Sequence, residues 1–194
     1  MDSTGNKEPQ RWKKLGERSL ARTRIFEVHS VEFQHPAHST AREFAVISAP
    51  DWVNVVALTT AHELVLVRQF RYGINDFSLE VPGGMIDPGE DPMAAGLREL
   101  QEETGYTGGH VRLLGSVHPN PAMQNNRCYL VLIEGVQRTA SLAWDENEEM
   151  KIITLPVDEV YAQAYAGGIT HALVLDALLF FMPVWEEIRS RGPV

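Results

Sequence analysis

Three glutamates spaced three and four residues apart are the residues of this sequence best suited to chemistry. Glu99, Glu102 and Glu103 lie in a stretch with helical character, and residues at this spacing share one helical face. Like charges so placed destabilise a helix unless something offsets their repulsion. Mg²⁺ or Mn²⁺ would offset it, because these cations prefer carboxylate oxygens and often share them with substrate phosphates. A divalent metal site is therefore the first hypothesis, and a solvated acidic surface is the alternative.

The glutamates belong to a longer pattern, which reads GMIDPGEDPMAAGLRELQEETGY from Gly84 to Tyr106. This stretch resembles the Nudix signature at each of its positions of fixed identity, namely Gly84, Glu90, Arg98, Glu99, Glu102, Glu103 and Gly105. Leu100 and Tyr106 fill the bulky apolar positions, and Tyr106 is the less usual choice. The resemblance implies an α+β fold, a Nudix-type α/β/α sandwich with a mixed sheet and a small N-terminal β extension.

The same resemblance implies a role for each signature residue. Glu99, Glu102 and Glu103 would bind the metal, with the carbonyl of Gly83 as a further ligand. Arg98 and Glu90 would orient those carboxylates. The implied reaction is hydrolysis of a diphosphate joined to another group, with Mg²⁺ as cofactor and Mn²⁺ as an alternative.

The segment before the signature bears on the substrate. Residues 67–72, VRQFRY, and 79–84, LEVPGG, resemble ADP-ribose and nucleoside diphosphate sugar pyrophosphatases, in which the arginine matching Arg71 contacts substrate phosphate. Without the resemblance, Arg68 and Arg71 would be surface charges at a strand end.

Two segments after the signature also resemble that subfamily. Residues 118–127 match its proline-containing loop, so Met123 and Arg127 are candidate substrate contacts, although Asn126 stands where the family often has glutamate. The acidic run 145–149 resembles the loop that supplies the general base and another metal ligand, which by position are Glu146 and Glu148. An ordinary proline-rich turn and a solvated acidic loop are the alternatives.

Tryptophans are candidates for stacking on the nucleobase. Trp52 and Trp12 have aromatic faces that accept any base. The alternative for Trp52, at the edge of a strand, is a place in the core.

Composition narrows the class of protein. The length of 194 residues fits one compact domain. The formal charge of −9 argues against broad nucleic-acid binding. Its single cysteine, Cys128, excludes an intramolecular disulfide and favours the cytoplasm. The N-terminal residues have no secretory signal character, and the apolar stretch 172–185 is interrupted by Asp176 and Pro183, so no membrane partner is expected.

Alternating runs between residues 12 and 47, such as 25–33, predict strands separated by turns, and β-branched or apolar runs predict further strands at 52–58, 63–70, 77–81, 111–117, 128–135 and 151–155. Helices are predicted at 91–104, 157–166 and 170–189, with Pro183 bending or ending the first part of the last one. Residues 1–48 would form a β extension that makes a homodimer and reaches the partner's site, and residues 49–194 the Nudix hydrolase domain.

The preferred function is therefore hydrolysis of ADP-ribose or a nucleoside diphosphate sugar to a nucleoside monophosphate and a sugar phosphate. A hydrolase of nucleoside triphosphates or dinucleoside polyphosphates is the alternative within the family. A nucleotide-sensing module that does not cleave its ligand is the alternative of another class, although such modules commonly lose signature glutamates and this chain keeps all of them.

Overall fold

A computed structural model describes residues 8–38, 40–144 and 149–190. The strands are β1 (Lys13–Arg22), β2 (Glu27–Gln34), β3 (Ala41–Ser48), β4 (Trp52–Thr59), β5 (Glu63–Arg71), β6 (Asp76–Glu80), β7 (Gly83–Met85), β8 (Tyr106–Thr107), β9 (His110–Val117), β10 (Cys128–Arg138) and β11 (Met150–Pro156). The helices are α1 (Pro92–Thr104), α2 (Val157–Tyr165) and α3 (Ala172–Ser190). The chain divides into two compact units, one made by residues up to 49 with 120–126 and the other by 50–119 with residues from 127 onward.

The first unit is a three-stranded antiparallel sheet in the order β1-β2-β3. All ten residues of β1 are exposed. Residues 120–126 join this unit through main-chain hydrogen bonds, including one from the amide of Ile47 to the carbonyl of Met123 at 2.7 Å.

The second unit is built on an eight-stranded sheet with the central order β11-β5-β4-β10-β8. Strands β4 and β10 are parallel, whereas the other pairs are antiparallel, so the sheet is mixed. Alternate residues of β4 enter two separate cores, because successive side chains of a strand point to opposite faces. Val53 and Val55 pack in the core that contains Leu100 of α1, while Val56 packs in the core of α2 and α3. The arrangement is the predicted α/β/α sandwich.

Strands β4 and β5 pair over a short stretch and then separate, and this separation determines where the signature loop begins. Strands β4 and β5 pair only at Ala57 with Val65 and at Leu58 with Leu64. Beyond that point β6 pairs with β5, and β7 pairs with β4. The chain therefore crosses from one strand to the other through residues 81 and 82, and it enters the signature loop beside β4.

Helix α3 excludes one of the two effects expected of Pro183, namely that it ends the helix. Pro183 lies inside it, and the helix does not end there but continues to Ser190. Apolar residues on both sides of the proline, among them Leu178 and Trp185, are buried in the same core. Packing along the whole helix thus outweighs the loss of one main-chain hydrogen bond. In the part of the chain that the structure describes, no helix is long and apolar enough to cross a membrane.

Candidate active site

Helix α1 carries the three signature glutamates, and local interactions fix where it begins and ends. The Asp91 side chain accepts hydrogen bonds from the amides of Met93 and Ala94, and Pro92 stands at the first helical position. Gly105 closes the helix with a left-handed conformation, φ 71°. Leu100 is fully buried against the sheet, which fixes the rotation of the helix and hence the directions of its glutamates.

Arg98 is the centre of an ion-pair network. Its Nε and Nη2 atoms each donate to the Glu90 carboxylate at 3.0 Å. Its Nη1 atom donates to Glu99 at 2.9 Å and to Glu102 at 3.1 Å, and Nη2 also donates to the carbonyl of Met85 at 3.1 Å. Hydrogen bonds from Arg98, and then from the Asp87 amide, lower the pKa of Glu90, so its carboxylate is ionised at neutral pH.

Glu103 is held in a different way. Its carboxylate accepts a hydrogen bond from the amide of Gly83 at 3.0 Å, across twenty residues of sequence. The residue is 5% exposed, so the carboxylate lies at the inner edge of the site. Gly83 itself fits closely on β4, since a Cβ atom there would overlap the carbonyl of Val53.

Gly84 leaves room for the third carboxylate. A Cβ atom built on Gly84 would overlap the carboxylate of Glu99, with its two oxygens and its carbon all closer than contact distance. The end of the Glu99 side chain therefore lies directly against the main chain of β7, and a side chain at position 84 would displace this carboxylate. The space that a side chain would take is filled by a charged oxygen donor.

These donors suit a hard divalent cation. Glu99, Glu102 and Glu103 offer carboxylate oxygens, Gly84 provides space beside one of them, and no thiolate or imidazole belongs to the set. Among residues 8–38, 40–144 and 149–190, no three acidic, histidine or cysteine side chains converge closely enough to hold an ion as they stand. The carboxylates are instead directed towards Arg98 and Gly83.

Arg71 has an unforeseen partner. Its guanidinium makes two hydrogen bonds to the carboxylate of Glu80, at 2.8 Å from Nε and 2.6 Å from Nη2. Burial, the largest single influence on Glu80, raises its pKa, but hydrogen bonding and charge from Arg71, with smaller contributions from His171 and Ser78, outweigh it and lower the pKa. The Glu80 side chain is 4% exposed and that of Arg71 43%, so the arginine is anchored at one end and open to solvent.

Sequence reasoning did not identify Glu80 as a functional residue. It was visible only as the glutamate of the LEVPGG segment, whose resemblance was used for Arg71 alone. In the pairing of β5 with β6, Arg71 lies opposite Asp76 and Glu80 lies opposite Val67, so the register alone does not predict the contact between Arg71 and Glu80.

A cleft of ≈ 510 Å³ lies beside β5, β6 and the start of β11. It is lined by cationic and aromatic side chains together with Gln69, Glu149 and Met150; the cations are Arg68, Arg71 and Lys151, and the aromatic residues are Phe70, Tyr72 and Phe77. The Arg68 guanidinium stacks over the Phe77 ring at 4.6 Å. The cleft has more cations than acids among these residues, although the chain as a whole carries −9.

The remaining candidates are dispersed. Trp52 packs against the core of α2 and α3, on the side of the sheet opposite α1. The Arg127 amide donates to Asp51 at 2.7 Å, and its side chain donates to Ser116 at 3.0 Å. Met123 belongs to the first compact unit and is 46% exposed. Glu146 and Glu148 lie outside the described residues.

Comparison with protein-family models matches residues 50–178 to the NUDIX domain. The chain is 30% identical over 137 residues to a methanol dehydrogenase activator of Bacillus methanolicus, covering 70% of this chain and 74% of that protein. It is 33% identical over 148 residues to an ADP-sugar pyrophosphatase of Mus musculus, covering 73% of this chain and 67% of that one.

A third relative is an ADP-ribose pyrophosphatase of Bacillus subtilis, 29% identical over 153 residues that cover 74% of this chain and 81% of the relative. Among solved structures, an ADP compounds hydrolase superposes with a TM-score of 0.82 over 97% of this chain and all of the other, at 24% identity. This structural likeness supports the fold.

Proposed function

The chain belongs to the NUDIX domain family, and from that premise we propose that it hydrolyses the diphosphate bond of ADP-ribose or of a nucleoside diphosphate sugar. The products are a nucleoside monophosphate and a sugar phosphate. Two of the relatives are named for ADP-sugar and ADP-ribose, which supports this substrate class.

The observation that carries the proposal is the link between the acidic site and Arg71. Glu80 anchors Arg71, and Gly83, three residues further along, donates its amide to Glu103. One short connection thus joins a phosphate-binding guanidinium to a cation-binding carboxylate. A diphosphate needs both, because its charge must be neutralised during the attack of water.

In the proposed mechanism, Glu99, Glu102 and Glu103 would hold a divalent cation, with the carbonyl of Gly83 as a further ligand. The cation would supply charge neutralisation for the diphosphate and activation of the attacking water. Arg98 and Glu90 hold the carboxylates in place through the ion pairs described above. Arg71, fixed by Glu80, binds a phosphate oxygen.

The proton of the attacking water requires a base. We assign it to Glu146, with Glu148 as a further metal ligand. The base accepts the proton as water forms its bond to one phosphorus, and the other phosphate leaves with the electron pair of the broken bond. Arg127, Met123 and Trp52 remain proposed substrate contacts.

The test is release of AMP from ADP-ribose in the presence of Mg²⁺. Wild type should release AMP, and Glu103→Gln should lower turnover by about 10²-fold or more, because it removes a charged metal ligand. Glu159→Gln, an exposed glutamate of α2, is the matched control and should behave as wild type. The proposal is wrong if wild type releases no monophosphate from any diphosphate sugar.

A substrate panel separates the alternatives. Nucleoside triphosphates and dinucleoside polyphosphates, tested beside ADP-ribose and nucleoside diphosphate sugars, would show a higher kcat/KM if the alternative within the family were correct. Binding of ADP-ribose without product, unchanged in Glu103→Gln, would favour the sensing module.

We also propose that two chains form a homodimer through the extension of residues 1–48, while residues 49–194 form the hydrolase domain. The exposed apolar side chains of the first sheet support this, among them Leu15, Leu20 and Phe44. The single cysteine, whose pKa burial raises to about 12, is consistent with the proposed cytoplasmic setting.

A further inference from the structure

The C-terminal end of α1 is hydrogen-bonded by a segment that follows it by about forty residues. The last carbonyls of a helix have no partner within the helix. Here the amide of Ala143 donates to the carbonyl of Glu102 at 3.0 Å, and the indole Nε1 of Trp144 donates to the carbonyl of Glu103 at 2.8 Å. The carbonyl of Gly105 accepts from the amides of Thr139 and Ala140, both at 3.0 Å.

These hydrogen bonds reach the same two residues whose carboxylates the proposed mechanism uses. Glu103 is therefore held at both ends, by Gly83 at its side chain and by Trp144 at its carbonyl. Glu102 is held likewise, by Arg98 at its side chain and by Ala143 at its carbonyl.

The hydrogen bonds from Ala143 and Trp144 also reduce electrostatic repulsion at the C-terminal end of α1. The C-terminus of a helix carries partial negative charge, which opposes carboxylates in the last turn. Helix α1 has no basic residue in that turn. The donors from Ala143 and Trp144 take up part of this negative charge, and they keep the last turn from fraying under the repulsion of Glu102 and Glu103.

We propose that Trp144 is a positioning residue for the metal-binding end of α1. Its indole N–H fixes the main chain at Glu103, so that the last turn of α1, which carries the Glu102 and Glu103 carboxylates, keeps its helical conformation. The inference rests on the proposed function, in which these carboxylates bind metal. In this proposal Trp144 is not a metal ligand and acts through its hydrogen bond to the helix.

The experiment measures Mn²⁺ affinity by electron paramagnetic resonance of the free ion, without substrate. Trp144→Phe keeps an aromatic ring but removes the donor, and it should weaken Mn²⁺ binding by about 10-fold, as loss of residues that orient metal ligands typically does. Trp185→Phe is the matched control, because its indole also donates a 2.8 Å hydrogen bond, to Asp158 between α3 and α2. It should lower stability without changing Mn²⁺ affinity.

A second substitution isolates the hydrogen bond from the shape of the ring. Benzothienylalanine at position 144 has sulfur in place of the indole N–H, and it should reproduce the weaker Mn²⁺ binding. Wild-type Mn²⁺ affinity in the benzothienylalanine variant, or in Trp144→Phe, would overturn the inference. So would an equal loss in Trp185→Phe, since the effect would then come from general destabilisation.

Turnover gives the complementary measurement. At low Mg²⁺, Trp144→Phe should show reduced activity that excess Mg²⁺ restores, while KM for ADP-ribose at saturating Mg²⁺ stays near the wild-type value. A change in KM alone would contradict a role at the metal site. If wild type binds Mn²⁺ but hydrolyses no diphosphate sugar, the proposed function fails while the binding comparison still decides the role of Trp144. If wild type binds no Mn²⁺, both fail.

Discussion

The guanidinium of Arg98 shows how one residue can stabilise a concentrated negative charge. It donates to Glu90, Glu99 and Glu102 at 2.9 to 3.1 Å. The hydrogen bonds that Arg98 donates to Glu90, and then its hydrogen bond to Glu99 and the negative charge of Glu99, raise the pKa of Arg98 further above its ordinary value, although burial opposes this. Arg98 thus stays charged at every pH at which the protein folds, and the acidic face of α1 does not depend on dilution by surface lysines.

The ion pair of Arg71 with Glu80 differs from the Arg98 network, because the Glu80 side chain is almost completely buried. Removing Arg71 leaves the Glu80 carboxylate without its strongest hydrogen-bond donor. Breaking a fully buried pair costs about 3–5 kcal/mol. Because the Arg71 side chain is 43% exposed, solvent already screens part of this attraction and we expect a smaller loss, about 2 kcal/mol, for Arg71→Ala.

The cost of Arg71→Ala should depend on pH. In wild type the lowered pKa of Glu80 stabilises the fold above the ordinary glutamate value of 4.5, and this contribution is lost as pH falls through the folded-state pKa. In the variant, burial would raise the pKa of Glu80, so its penalty at neutral pH disappears on protonation. Urea unfolding from pH 7.5 to 4 should therefore show the two proteins converging. A difference that is constant over this range would contradict the buried ion pair.

At the scale of elements, the site depends on the close approach of β7 to α1. Gly84→Ala would place a methyl group on the Glu99 carboxylate, so the carboxylate or the helix must move. We expect Mn²⁺ affinity and kcat to fall by about 10-fold or more while the far-ultraviolet circular dichroism stays native. Gly73→Ala is the control, because a Cβ atom there meets nothing within 4 Å. Equal activity in Gly84→Ala and Gly73→Ala would show that activity does not depend on the present position of the Glu99 carboxylate.

The elements that the sequence predicted well have local causes. The bounds of α1 follow from Asp91, Pro92 and Gly105, which lie within or next to the helix. The buried strands β4, β5 and β10 were identified from apolar runs, with ends within a few residues. Strand β1 lies within residues 12–47, where strands and turns were predicted, but it has no buried face and hence no alternation to fix its bounds; β7 and β8 have only three and two residues.

The contacts that complete the site could not be predicted in this way. Trp144 donates to a carbonyl 41 residues away, and Gly83 donates to a carboxylate 20 residues away. Neither interaction follows from periodicity or propensity, because both arise when the sheet brings distant segments together. The signature predicted which residues belong to the site, whereas the tertiary fold determines which groups contact them.

At the scale of the whole molecule, the first unit exposes an unusual amount of apolar surface. Leu20 is 50% exposed and Ile25 55%, and every residue of β1 is exposed. A three-stranded sheet needs a buried hydrophobic face for independent stability. We therefore predict that the chain is a dimer in solution, measurable by analytical ultracentrifugation, and that Leu20→Glu shifts it towards monomer.

The proposed dimer also leads to a prediction about the active site, because the N-terminal extension of one chain is proposed to reach the substrate of its partner. Trp12, which packs edge-on against His35 and Phe44, is the candidate contact. Two variants with low activity alone, Trp12→Ala and Glu103→Gln, should therefore regain activity when co-expressed. Half of the random dimers are mixed, and each has one intact site, so roughly a quarter of wild-type activity is expected. If Trp12 serves its own chain, every site in a mixed dimer carries one defect, and co-expression yields no more than the residual activities of the parents.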